Sequence, residues 1–202
     1  MVVAIILAAG ESTRMGRPKA LLPDPDGRPF VARLARTFAE AGVRDLVVVT
    51  GRDHAPVADA LASDRLPVRP VVVNNPDPSR GQLSSLWAGL DAASAPTVDA
   101  VLVALVDVPM VSPSTIRAII DAWERSRAPI VRPAIGDRHG HPVLFDRAVF
   151  DELRRAPFAE GAKAVVRAHA DRVVNVPVDD EGCLVDVDTP ADYEAMRRGR
   201  LR

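Results

Sequence analysis

The chain has one cysteine, Cys183, among 202 residues. A single thiol excludes an intramolecular disulfide and any zinc site built on cysteines. Lysine is nearly as scarce. Of 26 basic residues 24 are arginine, and the two lysines are Lys19 and Lys163. The plainest cause of that bias is genomic base composition, but it singles out two positions. Neither sign of charge prevails: 27 acidic residues bring the formal net charge to −1. No global field draws in nucleic acid or an anionic membrane. Long apolar runs are missing as well. No stretch approaches the roughly 20 residues needed to span a bilayer. Val2–Ala9 is apolar but short, lacks a preceding basic region and runs into Gly-Glu-Ser-Thr-Arg, unlike a cleaved leader. The expectation is a soluble, cytoplasmic protein. An apolar share of 48% with 26% charged residues opposes wholesale disorder, and the length suits one domain over 1–202.

Two kinds of apolar segment alternate. Val2–Ala8, Leu46–Thr50, Val71–Val73 and Val101–Val106 are short and nearly continuous, as parallel strands covered on both faces are. Between and after them lie segments of helical spacing: Phe30–Ala41 (stopped by Gly42), Ala55–Ala62, Ser84–Ala93, the stretch opened by Ser112-Pro113, the one capped by Asp146, Gly161–Ala170, and Thr189-Pro190 through Met196. Short strands are expected around Ile130–Pro133, Val143–Phe145 and Val173–Pro177. The order predicts a three-layer α/β/α, Rossmann-like fold on a mainly parallel mixed sheet. The basic tail Arg197–Arg202 is expected to fray. Trp87 and Trp123 read as helix packing, and Cys183, with no basic neighbour, as a small apolar residue.

In open α/β sheets ligands bind beyond the carboxyl ends of strands. The first strand ends in Leu7-Ala-Ala-Gly-Glu-Ser-Thr-Arg-Met-Gly-Arg-Pro-Lys19. Ala8, Ala9 and Gly10 allow close approach to the main chain, whose N–H groups can cradle phosphate. Arg14, Arg17 and Lys19 add local positive charge. The dinucleotide fingerprint Gly-x-Gly-x-x-Gly is absent, since residues 12 and 13 are Ser and Thr. The NTPase loop is absent too, since five residues separate Gly10 from Gly16 and Arg-Pro precedes Lys19. Three further segments carry polar residues at strand or helix ends. They are Gly81-Gln-Leu-Ser-Ser85 after Asn75, Asp107-Val-Pro109 after the fourth strand, and Asp186-Val-Asp188 before the last helix. Asp107 suits a hard cation completed by phosphate oxygens. If 184–188 is a strand, alternation puts Asp186 and Asp188 on one side. Arg138-His-Gly-His-Pro-Val-Leu-Phe145 carries two histidines but no third transition-metal ligand.

The glycine loop matches, at every fixed position, Leu-Ala-Ala-Gly-x-Ser-x-Arg-Met-Gly-x-Pro-Lys of nucleotidyltransferases with a glycosyltransferase-A-like fold. Together with Gly81-Gln-Leu-Ser-Ser85 (close to Gly-x-Ser-x-Ser), Asp107-x-Pro109, Gly140-His-Pro-x-x-Phe145 and Asp186-x-Asp-Thr-Pro190, the chain resembles the molybdenum cofactor cytidylyltransferase-like group, which also holds the molybdopterin-guanine dinucleotide synthases. The resemblance runs from Leu7 to Pro190. It implies transfer of a nucleoside monophosphate, CMP from CTP, to a phosphorylated acceptor such as molybdopterin, with Mg²⁺ and release of pyrophosphate. It implies Lys19, Arg14 and Asp107 as catalytic residues, with Asp107 and Asp188 on the metal and Asp186 as the alternative to Asp188. It gives Leu7, Ala8, Ala9, Gly10, Thr50, Asn75, Gly81, Ser84 and Ser85 to the nucleotide and His141 to the acceptor side, with no role for His139. Ala9 follows the cytidylyl pattern, where guanylyl relatives more often read Leu-Ala-Gly-Gly. A sugar 1-phosphate or methylerythritol phosphate acceptor is the nearest alternative. A non-catalytic nucleotide-binding partner in cofactor insertion is the other. A molybdoenzyme or its maturation factor would be the protein partner.

Overall fold

A computed structural model describes residues 1–199; Arg200, Leu201 and Arg202, the end of the basic tail, lie outside the described residues. The chain runs β1 (Val2–Ala8), α1 (Phe30–Glu40), β2 (Asp45–Thr50), α2 (His54–Ser63), β3 (Val71–Asn74), α3 (Gln82–Ala93) and β4 (Ala100–Leu105). It continues through α4 (Pro113–Ser126), β5 (Ile130–Ile135), β6 (Arg138–His139), β7 (Val143–Asp146), α5 (Phe150–Arg155), α6 (Ala162–Ala168), β8 (Val173–Pro177) and α7 (Pro190–Arg197).

The strands form one sheet in the order β3-β2-β1-β4-β7-β5-β6, with β8 on β5. β1 pairs in parallel with both β2 and β4, whereas β7 runs antiparallel between β4 and β5. The three-layer mixed sheet expected from the alternating segments is therefore present. Successive residues of β1 feed opposite faces, as the pleat requires. Ala4, Ile6 and Ala8 pack with Phe30, Leu34 and Phe38 of α1, Ile116 and Ile119 of α4 and Tyr193 of α7. Val3, Ile5 and Leu7 pack with Leu86 and Leu90 of α3 and Leu153 of α5. Burying each Val, Leu, Ile or Phe side chain among these contributes about 1.5–3 kcal/mol relative to leaving it exposed.

The caps follow the sequence. The Ser112 hydroxyl accepts from Thr115 N to open α4. Asp146 caps the turn before α5 and also accepts from Trp123 Nε1. Thr189 and Asp192 form a reciprocal capping box on α7. Two expectations shift. The third helix starts at Gln82, so Ser84 and Ser85 lie inside its first turn. Residues 184–188 are irregular, not a strand.

Chain order reverses beside β1. The path steps outward to β2 and β3, then returns to place β4 on the other flank. The carboxyl ends of β1 and β4 thus border the switch point where open α/β sheets bind ligands. Among the described residues, no helix is long and apolar enough to cross a membrane.

Candidate active site

The loop after β1 is organised by Ser12. It adopts a positive φ of 50°, and its carbonyl accepts from Met15 N and Gly16 N, closing a tight turn. Its hydroxyl accepts from Lys19 N at 3.0 Å. These bonds swing Lys19 back over the end of the sheet, where its side chain is only 11% exposed. Lys19 Nζ donates to Asp107 Oδ2 at 3.2 Å and to Asp188 Oδ1 at 2.5 Å. Arg14, largely exposed, donates to the other Asp188 oxygen at 3.1 Å. Residues 7, 14, 19, 107 and 188 border one cleft of about 260 Å³, with Ala8, Ala9, Gly10, Gly81 and Ser85. A neighbouring hollow of about 320 Å³ continues over Ala9, Gly10, Arg17 and Asp53.

The second carboxylate arrives from the far end of the chain on a strap, residues 180–188. Val187 N donates to Asp107 O at 2.7 Å, fixing the spacing of Asp107 and Asp188 through main chain. Asp180 accepts from Ser112 N and the Thr115 hydroxyl, and His141 N donates to Cys183 O. The contacts are close enough to require glycine at two places. A Cβ on Gly140 would stand 2.2 Å from Cys183 O, and one on Gly182 the same distance from Met110 O.

The Lys19 and Arg14 cations hold the Asp188 carboxyl below its usual range, chiefly through the Lys19 hydrogen bond. Asp186 is shifted the other way. Partial desolvation of the charged form pushes its carboxyl up, and the negative charges of Asp107 and Asp188 add to this. Three carboxylates facing two cations form a site short of positive charge. Among the described residues no three His, Cys, Asp or Glu side chains converge as a closed metal cage. The Asp107 and Asp188 carboxylates, brought together on one ammonium, suit a hard divalent cation that takes one or two carboxylates and completes its shell with substrate oxygens. The residues present therefore fit such an ion.

Some residues assigned from sequence lie elsewhere. Thr50 is fully buried, its hydroxyl donating to Val73 O and bonded to the His54 ring. Asn75 is also buried. Its amide donates to the Ser84 and Ser85 hydroxyls at 2.9 and 3.0 Å, and its oxygen accepts from Asp77 N. Ser84 further donates to Gly81 O. Thr50, Asn75 and Ser84 do not line the cleft; internal partners use their polar groups. They shape the cleft from behind, with Gly81 at φ 88° turning the chain into α3. Arg17 leaves the cation cluster to lie 5.3 Å from the Tyr193 ring centre.

A larger hollow of about 770 Å³ adjoins the first, sharing Leu7, Gln82 and Leu105. His141 lies in it, preceding a cis peptide bond to Pro142, and so do His139 and Asp186. Burial pushes His141 down; Asp107 opposes this and Lys163 adds to it. Burial and the Arg132 charge push His139 down. Sequence reasoning missed three residues here: Arg132, Lys163 and Phe158. The exposed Phe158 ring packs against Trp87 and carries the Arg80 guanidinium 4.4 Å from its centre. Only the rarity of lysine hinted at Lys163. Cys183 is buried, and burial with Asp180 nearby pushes its thiol up to about 11, which makes it inert.

This architecture recurs in known proteins. Rv0371c from Mycobacterium tuberculosis H37Rv has 32% sequence identity, a TM-score of 0.81 and coverage of 98% of both chains. The same protein has been crystallised as a manganese complex, with a TM-score of 0.73, which suggests a divalent metal for proteins of this kind. The nicotine blue oxidoreductase of Paenarthrobacter nicotinovorans is 34% identical over 93% of this chain and 92% of its own length. A Mycobacterium avium protein named a probable molybdenum cofactor guanylyltransferase is 30% identical over 97% and 95%. The family described as MobA-like NTP transferase domain matches residues 4–173, which take in the glycine loop, Lys19, Asp107 and His141. With the glycine loop at the switch point, the lysine between two carboxylates and that match along most of its length, the chain belongs to the MobA-like NTP transferase family.

Proposed function

We propose that the protein transfers CMP from CTP to a phosphate monoester, molybdopterin being the proposed acceptor, and releases pyrophosphate. The observation that carries this reading is Lys19 held between Asp107 and Asp188 at the mouth of the glycine loop. The acceptor oxygen forms a bond to the α-phosphorus as the bond from that phosphorus to the β-phosphate bridging oxygen breaks. The attacking phosphate is already ionised at neutral pH, and pyrophosphate leaves as an anion. Neither a general base nor a strong acid is required. What the reaction needs is alignment of two anions and neutralisation of their charge in a partly dry cleft.

Leu7, Ala8, Ala9 and Gly10 offer close main-chain contact to the nucleotide, with Gly81 and Ser85 on the opposite wall. Lys19 and Arg14 supply the cations for its phosphates. Asp107 and Asp188 would hold Mg²⁺, with Asp186 beside them; when bound, the ion supplies Lewis-acid polarisation and charge neutralisation at the phosphates. The 770 Å³ hollow with His141 is of a size to receive the body of the acceptor. Cytosine is supported by Ala9, which lines the cleft at the position where guanylyl relatives more often carry glycine. The guanylyltransferase name of the Mycobacterium avium relative makes GTP the direct competitor. An oxidoreductase role like that named for the Paenarthrobacter relative would leave the lysine–carboxylate cluster without a task.

The test is pyrophosphate release from each of the four NTPs with Mg²⁺ and a panel of phosphorylated acceptors that includes molybdopterin. Release is expected with CTP and acceptor together. Preference for GTP overturns the base assignment alone. Tight nucleotide binding without release across the panel favours a non-catalytic binding protein. In Asp107→Asn, nucleotide binding persists in part while turnover falls by orders of magnitude; unchanged turnover sinks the assignment of Asp107.

A further inference from the structure

The two hollows differ in how their charges are settled. In the nucleotide cleft, Lys19 and Arg14 are matched by Asp107 and Asp188. Elsewhere Arg28 and Arg36 share Asp64 and Arg138 has Glu181, and on the wall of the larger hollow Arg167 has Glu160. Two cations of that hollow, which also holds Asp186, break this pattern. Arg132 projects into it half-buried, and its side-chain partner is the neutral Asn175, at 2.8 Å. Burial alone lowers its pKa, the sign of a guanidinium desolvated without a carboxylate. Lys163, exposed at the edge of the same hollow, has no ion pair or hydrogen bond of its ammonium among the described residues. The two cations flank the His139-Gly140-His141 segment, each opposing protonation of its nearer histidine.

A partly buried cation such as Arg132, without a counter-charge, costs stability unless an anion arrives to meet it, and an exposed Lys163 is free to swing toward the same anion. Resting on the nucleotidyl-transfer reading, we infer that Arg132 and Lys163 form an anion subsite for a second anionic group of the acceptor, distinct from the phosphate that attacks the nucleotide. The separation follows from the sheet. The attacked phosphate belongs beside Asp107, just past β4, whereas Arg132 lies on β5 with β7 intervening. Two strand spacings put Arg132 about 10 Å across the sheet. The acceptor is therefore anionic at two places, and the hollow holds it by the group that does not react. Apolar walls from Leu83, Val103, Val143 and Phe158 cover what lies between.

The chain's four histidines allow a direct test. Inorganic phosphate is titrated at constant pH into the full chain while the imidazole NMR resonances are followed. Saturable movement of the His139 and His141 resonances is expected, with His54 and His169 still. Arg132→Gln and Lys163→Gln should each weaken the apparent affinity tenfold or more, with unmoved His54 and His169 resonances reporting an intact fold. Silent His139 and His141 resonances, or equal affinity in both variants, overturn the subsite. The outcome is separable from the nucleotidyl-transfer reading. Pyrophosphate release with silent histidines removes the subsite alone. Moving histidines in a protein that turns over no NTP keep the subsite and remove the reaction.

Discussion

Replacing Lys19 by methionine should move two properties in opposite directions. The ammonium lies 3.2 Å from Asp107 and 2.5 Å from Asp188. At an effective dielectric near 20, a unit pair at such distances interacts by about 5–7 kcal/mol. Asp107 and Asp188 are 27% and 36% exposed, however, so water recovers most of that when the cation is lost. A net cost of about 1–2 kcal/mol remains, or a Tm lower by about 2–8 °C for a chain of this length. Lys19 depresses the folded-state pKa of Asp188. That contribution is complete above the unfolded carboxylate value near 3.9 and is lost as pH falls through the folded value. The parent–variant gap should therefore close in acid. Turnover should fall by roughly 10²–10³, the range for losing one preorganised charge contact. In the nucleotide-free protein, meanwhile, Lys19 already occupies the space between the two carboxylates. Its removal should tighten Mn²⁺ binding, measured by calorimetry without nucleotide, by about tenfold, equivalent to ~1.4 kcal/mol. Turnover within threefold of the parent, or weaker Mn²⁺ binding in the variant, would refute the reasoning.

Asp186→Asn should raise Tm at neutral pH without divalent cation. A carboxyl whose folded pKa is raised costs stability above that value, and the cost vanishes below the unfolded pKa, so the gain should disappear in acid. With Asp186 exposed to solvent, the gain is at most about 1 kcal/mol; a lower Tm at neutral pH would contradict it. Asn75→Ala removes two bonds to the serine hydroxyls and one from Asp77 N, at a cost of about 2–3 kcal/mol in urea unfolding. An unchanged midpoint would mean that the asparagine is not the brace behind the α3 start. Thr189→Ala breaks the capping box and should lower stability by about 1 kcal/mol, a loss that Thr189→Ser largely restores.

The parallel half of the sheet was legible because β1, β2 and β4 are continuous apolar runs, which only a strand covered on both faces tolerates. The reversal at β7 was not. Val143–Phe145 carries no direction in its residues; pairing with Val101 and Val103 sets it. The glycine loop was legible because its small residues and cations are contiguous. Thr50, Asn75 and Ser84 misled because a hydroxyl or amide near a strand end looks the same whether its partner is a ligand or the neighbouring chain. Arg132 on β5 and the Phe158–Lys163 stretch after α5 come from two separated segments, and no local pattern ties them together before the fold does. The strap was half legible: its acids stood out, but the alternation argument assumed a strand, and the main-chain bond from Val187 to Asp107 sets their position instead.

That strap has a consequence for how the protein tolerates change. One short segment sets the spacing of Asp107 and Asp188, through Val187, and the seat of His141, through Cys183. Apart from Asp180, Asp186 and Asp188, the side chains along it can drift while backbone bonds preserve the distances. Its glycine contact cannot. A side chain at Gly182 would push against Met110 and displace the nucleotide end and the acceptor end together. Variation in what the larger hollow accepts must then come from its movable walls, such as α6 and the Phe158 turn. The strap is the shared hinge pin on which divergent relatives would keep their two clefts in register.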